Sequence, residues 1–270
     1  MISNVLKRCF SLSTKDFKKI YKLGEGANSK VYNVISLNNK KMYTYKEYHN
    51  NNIDKINKEI EILKSIKTEN NVLPKYYKTI IGKNKVCVLT NYIEGKELFE
   101  KYCLKKNNIL TEETIKPVLK QMVGCIEECN KNNIIHMDIK PENFIISHDD
   151  KISLIDFGSS QFFNNKNKIY NLNSSKIGTL SYCSPEVLYR NIYHINSDIW
   201  SLGVCIYGLL ENKKLFNEHE INNPKKNYKY FNTFTLELQD LLQQIFVIYP
   251  EERISLEDIK KHPFLQGNGS

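Results

Sequence analysis

The hydrophobic period changes along this 270-residue chain, and the change divides it into two parts of different structural class. Over the first 90 or so residues the apolar side chains come in short runs rich in β-branched and aromatic types: FKKIYKL, KVYNVISL, KMYTYKEY and VCVLTNYI. The separators GEGANS and NNK are turn chemistry, so these runs read as strands. One stretch interrupts them. IDKINKEIEILKSI places apolar residues at 53, 56, 60 and 63, the spacing of an amphipathic helix. From Thr111 the pattern is helical: TEETIKPVLKQMVGCIEEC opens on a capping threonine, and SDIWSLGVCIYGLL is apolar almost all round, which predicts a buried central helix. Between them FIIS and KISLID return to strand across an Asp-Asp turn. The Asn-rich pieces 164–173 and 222–227 read as loops. The layout is α+β, a sheet-rich part followed by a helical one.

Composition excludes several classes. The chain is 41% hydrophobic, enough for a real core, and no apolar run approaches the roughly 18 residues that would span a bilayer. Its seven cysteines are scattered, with no CxxC pair; Cys125 and Cys129 lie one helical turn apart without partners to complete a metal site. Reduced thiols fit a cytoplasmic or nuclear protein, not a secreted one. MISNVLKRCFSLS lacks the arginine richness of a transit peptide and reads as a lead-in to the first strand. The formal charge of +9 is nearly all lysine, dispersed along a chain also rich in asparagine and isoleucine. That mixture suits an AT-rich coding sequence, so no specific nucleic-acid partner is expected.

Three constellations carry chemistry. In GEGANSKVY, Gly24 and Gly26 sit between two strands, where a glycine-rich hairpin can approach a phosphate closely. A strand follows rather than a helix, which rules out the dinucleotide-binding reading. In KMYTYKEY, alternation puts Met42, Thr44, Lys46 and Tyr48 on one face, and an inward lysine needs a partner. Glu59 shares the inward face of the following helix. Alone, each reads as an ordinary surface charge; together with the glycine loop they read as a pair. In IIHMDIKPENF and the later DFG, Asp138 can orient a hydroxyl and accept its proton. Asn143 and Asp156 offer the oxygen ligands that Mg²⁺ prefers, and Lys140 can steady a transferring phosphoryl group.

These motifs, in this order over residues 15–265, resemble the eukaryotic protein kinase family of serine/threonine type, nearest in look to the calcium/calmodulin-dependent kinase group. The resemblance implies a bilobal α+β fold: a small antiparallel-sheet lobe with one main helix over residues 1–91, and a larger helical lobe over 92–270. It implies ATP with Mg²⁺, or Mn²⁺ in its place, and protein substrates with basic residues upstream of the accepting hydroxyl. Lys46 matches the lysine that holds the α- and β-phosphates, with Glu59 its partner. Gly24, Gly26, Ser29, Val31, Thr44, Thr90, Asn91, Tyr92, Ile93 and Ile145 match nucleotide-contacting positions. Thr90 is the gatekeeper, and Asn91–Ile93 the hinge. Asp138 matches the catalytic base, with Thr179 and Lys140 beside it, and Asn143 and Asp156 match the metal ligands. Glu97 and Glu142 match acids that attract basic substrate residues. SPE at 184–186, Asp198, Arg253 and HPFL match further landmarks. A monomer is the default.

Ser29 stands for a glycine, Thr44 for the usual alanine over adenine, and Met137 for the arginine that receives the activating phosphate in the family. Methionine cannot do so and should pack as apolar filler. Ser174 and Ser175 are the candidate phosphosites, expected not to be the main switch. Thr44 and Met137 keep open a second reading, a pseudokinase-type scaffold with little catalysis. A small-metabolite or lipid kinase fits less well, because SPE and Arg253 resemble a peptide-binding platform.

Overall fold

The computed structural model describes residues 16–26, 28–49, 52–68, 71–82, 85–104, 110–163, 169–171, 179–213, 215–216 and 231–267. The chain forms two compact units, Met1–Glu94 and Gly95–Ser270.

The first unit is built on one antiparallel sheet. Its strands are β1 (Phe17–Glu25), β2 (Ser29–Ser36), β3 (Met42–Tyr48), β4 (Tyr76–Ile81) and β5 (Val86–Asn91), in the order β1-β2-β3-β5-β4. Tyr43 and Tyr45 of β3 join Val34, Ile80, Cys87 and Leu89 in a buried cluster on one face. The intervening residues face the other way: Thr44 lies between Asn33 and Thr90 in register, and Lys46 between Val31 and Val88. Helix α1 (Ile53–Ser65) starts where the Asn52 side chain accepts from the Lys55 amide, and it buries Ile56, Glu59, Ile60, Ile62 and Leu63. Ile53, the first of the four periodic positions, remains exposed in the opening turn.

Strand β4 has no counterpart in the sequence reading, because YYKTII lacks clean alternation. Its ladder with β5 carries a register shift between Tyr76 and Lys78, and that bulge breaks the period. The units divide after Glu94, not after Asn91 as read from the sequence, and the Tyr92 phenol is hydrogen-bonded to Tyr21 of β1 at 2.8 Å.

The second unit begins with β6 (Lys96–Glu97) and a π-helical turn, Phe99–Cys103. Helix α2 (Glu112–Lys131) opens with a reciprocal cap between Thr111 and Thr114 and buries one face from Ile115 to Cys129. Then come β7 (Ile134–Ile135), β8 (Phe144–Ile146), β9 (Ile152–Leu154), β10 (Gln161–Phe162) and β11 (Ile169–Asn171). Helix α3 (Pro185–Arg190), β12 (Ile192–His194), α4 (Ser197–Glu211), α5 (Leu236–Ile245), α6 (Leu256–Lys261) and α7 (Pro263–Gln266) follow. Strands β6, β8 and β9 form one small sheet; β7 pairs with β10, and β11 with β12. Helix α4 is buried along nearly its whole length, as the all-round apolar pattern predicts, and Trp200 packs against Phe216 and Phe246. Residues 169–171 were expected in a loop; their backbone instead ladders with 192–194. The rest of that Asn-rich piece, the whole of 222–227, and Ser174 and Ser175 lie outside the described residues.

Candidate active site

The loop after β7 is held by its backbone. The amides of His136 and Met137 donate to the two carboxylate oxygens of Asp198, at 2.9 and 3.1 Å, and the Tyr193 hydroxyl adds a third donor at 2.8 Å. Asp198 is fully buried in the first turn of α4. Burial pushes its carboxyl above the usual range, against donors that favour the charged form. The clamp coincides with a left-handed Met137, at φ +65°. The Met137 side chain is 1% exposed and packs with Ile135, Cys183, Val187 and Tyr193. The His136 ring meets Phe157 edge-on at 5.0 Å, its Nε2 lies 3.0 Å from the Ile155 carbonyl, and Ser160 Oγ donates to the His136 carbonyl.

Asp138 is fixed on both oxygens. Its Oδ1 accepts from the Thr179 amide at 3.0 Å and the Thr179 hydroxyl at 2.9 Å. Its Oδ2 is 2.9 Å from Lys140 Nζ and accepts from Asn143 Nδ2 at 3.1 Å. Lys140 also donates to Thr179 Oγ1 at 2.9 Å, so Asp138, Lys140 and Thr179 close a ring of polar contacts. Asn143 Nδ2 donates again to the Asp138 carbonyl at 2.7 Å, leaving its Oδ1 as the atom able to bind a cation. The β8–β9 hairpin brings the chain back to this loop, with the Ile155 amide donating to the Asn143 carbonyl at 2.8 Å. Asp156 follows in a left-handed conformation at φ +63°, where its Oδ1 accepts from the Gly158 amide. Among the described residues no group of three or more His, Cys, Asp or Glu could hold a metal alone. One carboxylate and one amide oxygen fit Mg²⁺, which keeps waters and takes phosphate oxygens as co-ligands.

The SPE segment is anchored through Glu186. Burial alone would raise its carboxyl; bidentate bonds from Arg253 at 2.9 and 3.1 Å, with Ser197 at 2.7 Å, hold it below the usual range. Glu97 is half-buried, and its carboxyl is raised by burial and then by the charge of Glu142. One Glu142 oxygen is buried without a partner. Ile145, in β8, is partly buried.

In the first unit Lys46 Nζ donates to Glu59 Oε1 at 2.7 Å, with the lysine side chain 17% exposed and the glutamate 5%. The Gly26 amide bonds to the Ser29 carbonyl across the hairpin turn. A Cβ at Gly24 or Gly26 would touch nothing within 4 Å. Packing therefore does not demand these glycines; a ligand lying against the backbone would. Val31, Thr44 and Thr90 share the Lys46 face, and Asn91 and Tyr92 follow on the end of β5. Burial and the Tyr21 contact push the Tyr92 phenol up to about 12. The supporting residues Tyr193, Ser160 and Ser197 were not singled out from the sequence. Each acts through side-chain hydrogen bonds, Ser160 to the His136 carbonyl, Ser197 to Glu186 and Tyr193 to Asp198, which leave no periodic pattern.

The chain matches the protein kinase domain family over residues 17–265. It is 31% identical to an Aurora kinase of Saccharomyces cerevisiae over 271 residues, covering 96% of this chain and 71% of that protein. It is 27% identical to CBL-interacting protein kinase 10 of Oryza sativa over 256 residues, 90% of this chain and 55% of the relative. An SNF1-related protein kinase catalytic subunit of Arabidopsis thaliana is 28% identical over 219 residues, 79% of this chain and 43% of its own length. The chain thus spans about half the length of these plant relatives. Family-wide sequence similarity, the antiparallel first unit and the helical second unit agree: this chain belongs to the protein kinase family, serine/threonine type.

Proposed function

We propose that this chain is an active serine/threonine protein kinase, moving the γ-phosphoryl group of ATP to a Ser or Thr hydroxyl of a protein. The observation that carries the reading is Asp138, whose carboxylate is aimed by Thr179, Lys140 and Asn143. In this reading Asp138 orients the attacking hydroxyl and takes its proton, while Lys140 steadies the phosphoryl group in flight. Lys46, held by Glu59, grips the α- and β-phosphates. Asn143 and Asp156 hold the cation, Mg²⁺ with Mn²⁺ able to replace it, which neutralises charge on the phosphate oxygens. Gly24, Gly26, Ser29 and Val31 cover the nucleotide, Asn91–Ile93 and Thr90 receive the base, and Ile145 lies under it. Glu97 and Glu142 favour substrates with basic residues upstream. Among the described residues no helix is long and apolar enough to cross a membrane; a cytoplasmic or nuclear site of action is part of the proposal, from the scattered cysteines with no CxxC pair.

The test is Asp138→Asn with a basic peptide, ATP and Mg²⁺. Turnover is expected in the family's range, about 1–100 s⁻¹ for the unaltered chain, and none for the variant while ATP binding persists. Equal turnover by the variant would overturn the assignment of Asp138. Absence of turnover in the unaltered chain would favour the scaffold reading, which Thr44 supports by placing a hydroxyl where the family has an apolar contact.

A further inference from the structure

The charge of the chain is not shared between its units. Residues 1–94 hold 18 Lys and Arg against 8 Asp and Glu, a net +10, whereas residues 95–270 hold 21 against 22, a net −1. A compositional bias of the coding sequence would act on both units alike, so it does not explain the partition. Five of these eighteen basic residues stand on one face of the sheet. In register, Lys19 lies opposite Val34, Lys22 opposite Tyr32, Lys30 opposite Glu47 and Lys78 opposite Leu89. Directly paired residues share a face, so all four stand on the face of Tyr43, Tyr45 and Glu47, turned away from Lys46. Lys85 reaches the same face, 3.1 Å from Glu47. Among the described residues only Glu25 and Glu47 form ion pairs with these lysines, and Glu47 is already claimed by both Lys19 and Lys85. Helix α1 lies on the opposite face, where Glu59 meets Lys46.

We propose that this lysine face of the first unit docks an acidic, apolar-containing segment of a partner protein. Edge-strand protection accounts for lysines on the edge strands β1 and β4, but not for Lys30 and Lys85 on or beside inner strands. A nucleic acid fits less well. The Tyr43 and Tyr45 rings are buried, and Lys19 sits 3.7 Å over the Tyr32 ring, so none of these three rings is open for a base to stack on. Glu25 and Glu47 also stand within the field, where a phosphate backbone would run. Lysine point charges suit separate carboxylates, and half-exposed Tyr77, its ring tilted against Tyr43 at 4.4 Å, offers an apolar contact beside them.

The test uses the full chain and a fluorescein-labelled peptide of glutamates with interspersed leucines, read by anisotropy at low salt. Binding is expected to weaken at least about tenfold in Lys22→Gln/Lys78→Gln/Lys85→Gln. It should stay unchanged in Lys116→Gln/Lys131→Gln/Lys151→Gln of the second unit. Unfolding temperature and phosphorylation of a short peptide should match the unaltered chain in both; if the first variant does not fold, Lys22→Gln/Lys78→Gln carries the same comparison. No binding by the unaltered chain, equal losses in both variants, or tighter binding of a thymidine oligonucleotide than of the peptide would overturn the proposal.

Discussion

Met137 combines two properties that one letter of sequence conveys unequally. Its chemistry is legible: an apolar side chain where the family has arginine, and the structure buries it among Ile135, Cys183, Val187 and Tyr193. Its backbone is not legible, since a left-handed methionine costs on the order of 1–3 kcal/mol and persists only when surrounding contacts impose it. Here the imposing group is Asp198, 61 residues onward, which takes the amides of both His136 and Met137. The apolar surroundings set the consequence of restoring the family residue. Met137→Arg would bury a guanidinium among Ile135, Cys183, Val187 and Tyr193, at a cost of about 3–5 kcal/mol. Met137→Leu, similar in volume, should cost less than about 1.5 kcal/mol. Urea unfolding of the two variants checks this; equal stability would mean the arginine finds solvent or a carboxylate.

At the scale of elements, the sequence conveys most where periodicity is strong. The β1–β3 strands, α1, the capped start of α2 and the buried α4 all follow from spacing. Elements made by distant pairing do not: β4 owes its existence to β5 across a bulge, and β11 to β12. Glycine within α4 is a further case. Gly203 lowers helix propensity, yet a Cβ there would run into Ile245 of α5 and meet Phe246 at 3.0 and 3.1 Å. The glycine lets α4 and α5 approach closely. Gly203→Ala is therefore expected to destabilise by about 1–3 kcal/mol despite better propensity, because overpacking outweighs the backbone gain. A lowered thermal midpoint with the helical content retained is the outcome expected; a raised midpoint would show that Ile245 and Phe246 yield freely.

Across the whole molecule, the residues with assigned chemistry were legible because each has a motif neighbour, and so were the Thr179–Asp138 and Glu186–Arg253 contacts, whereas the backbone pairings within the segment from Asp156 to Glu186 were not. Gln161 and Phe162 ladder with β7, the Phe163 amide donates to Asn133, and β11 pairs with β12. Farther on, Thr179 is bonded to Asp138, Ser201 donates to the Tyr182 carbonyl, and Glu186 is locked by Arg253. Where a phosphate receiver stands in the family, Met137 packs in an apolar cluster with Cys183 of the same segment and Val187 just beyond it. Because Met137 offers no cation to a phosphate, one at Ser174 or Ser175 is expected not to be the main switch. Ser174→Ala/Ser175→Ala is therefore expected to keep most of its turnover of a basic peptide, and phosphatase treatment of the unaltered chain to change it little. A collapse of activity in either experiment, with unfolding temperature unchanged, would show that a phosphate on this segment is required and that another cation receives it.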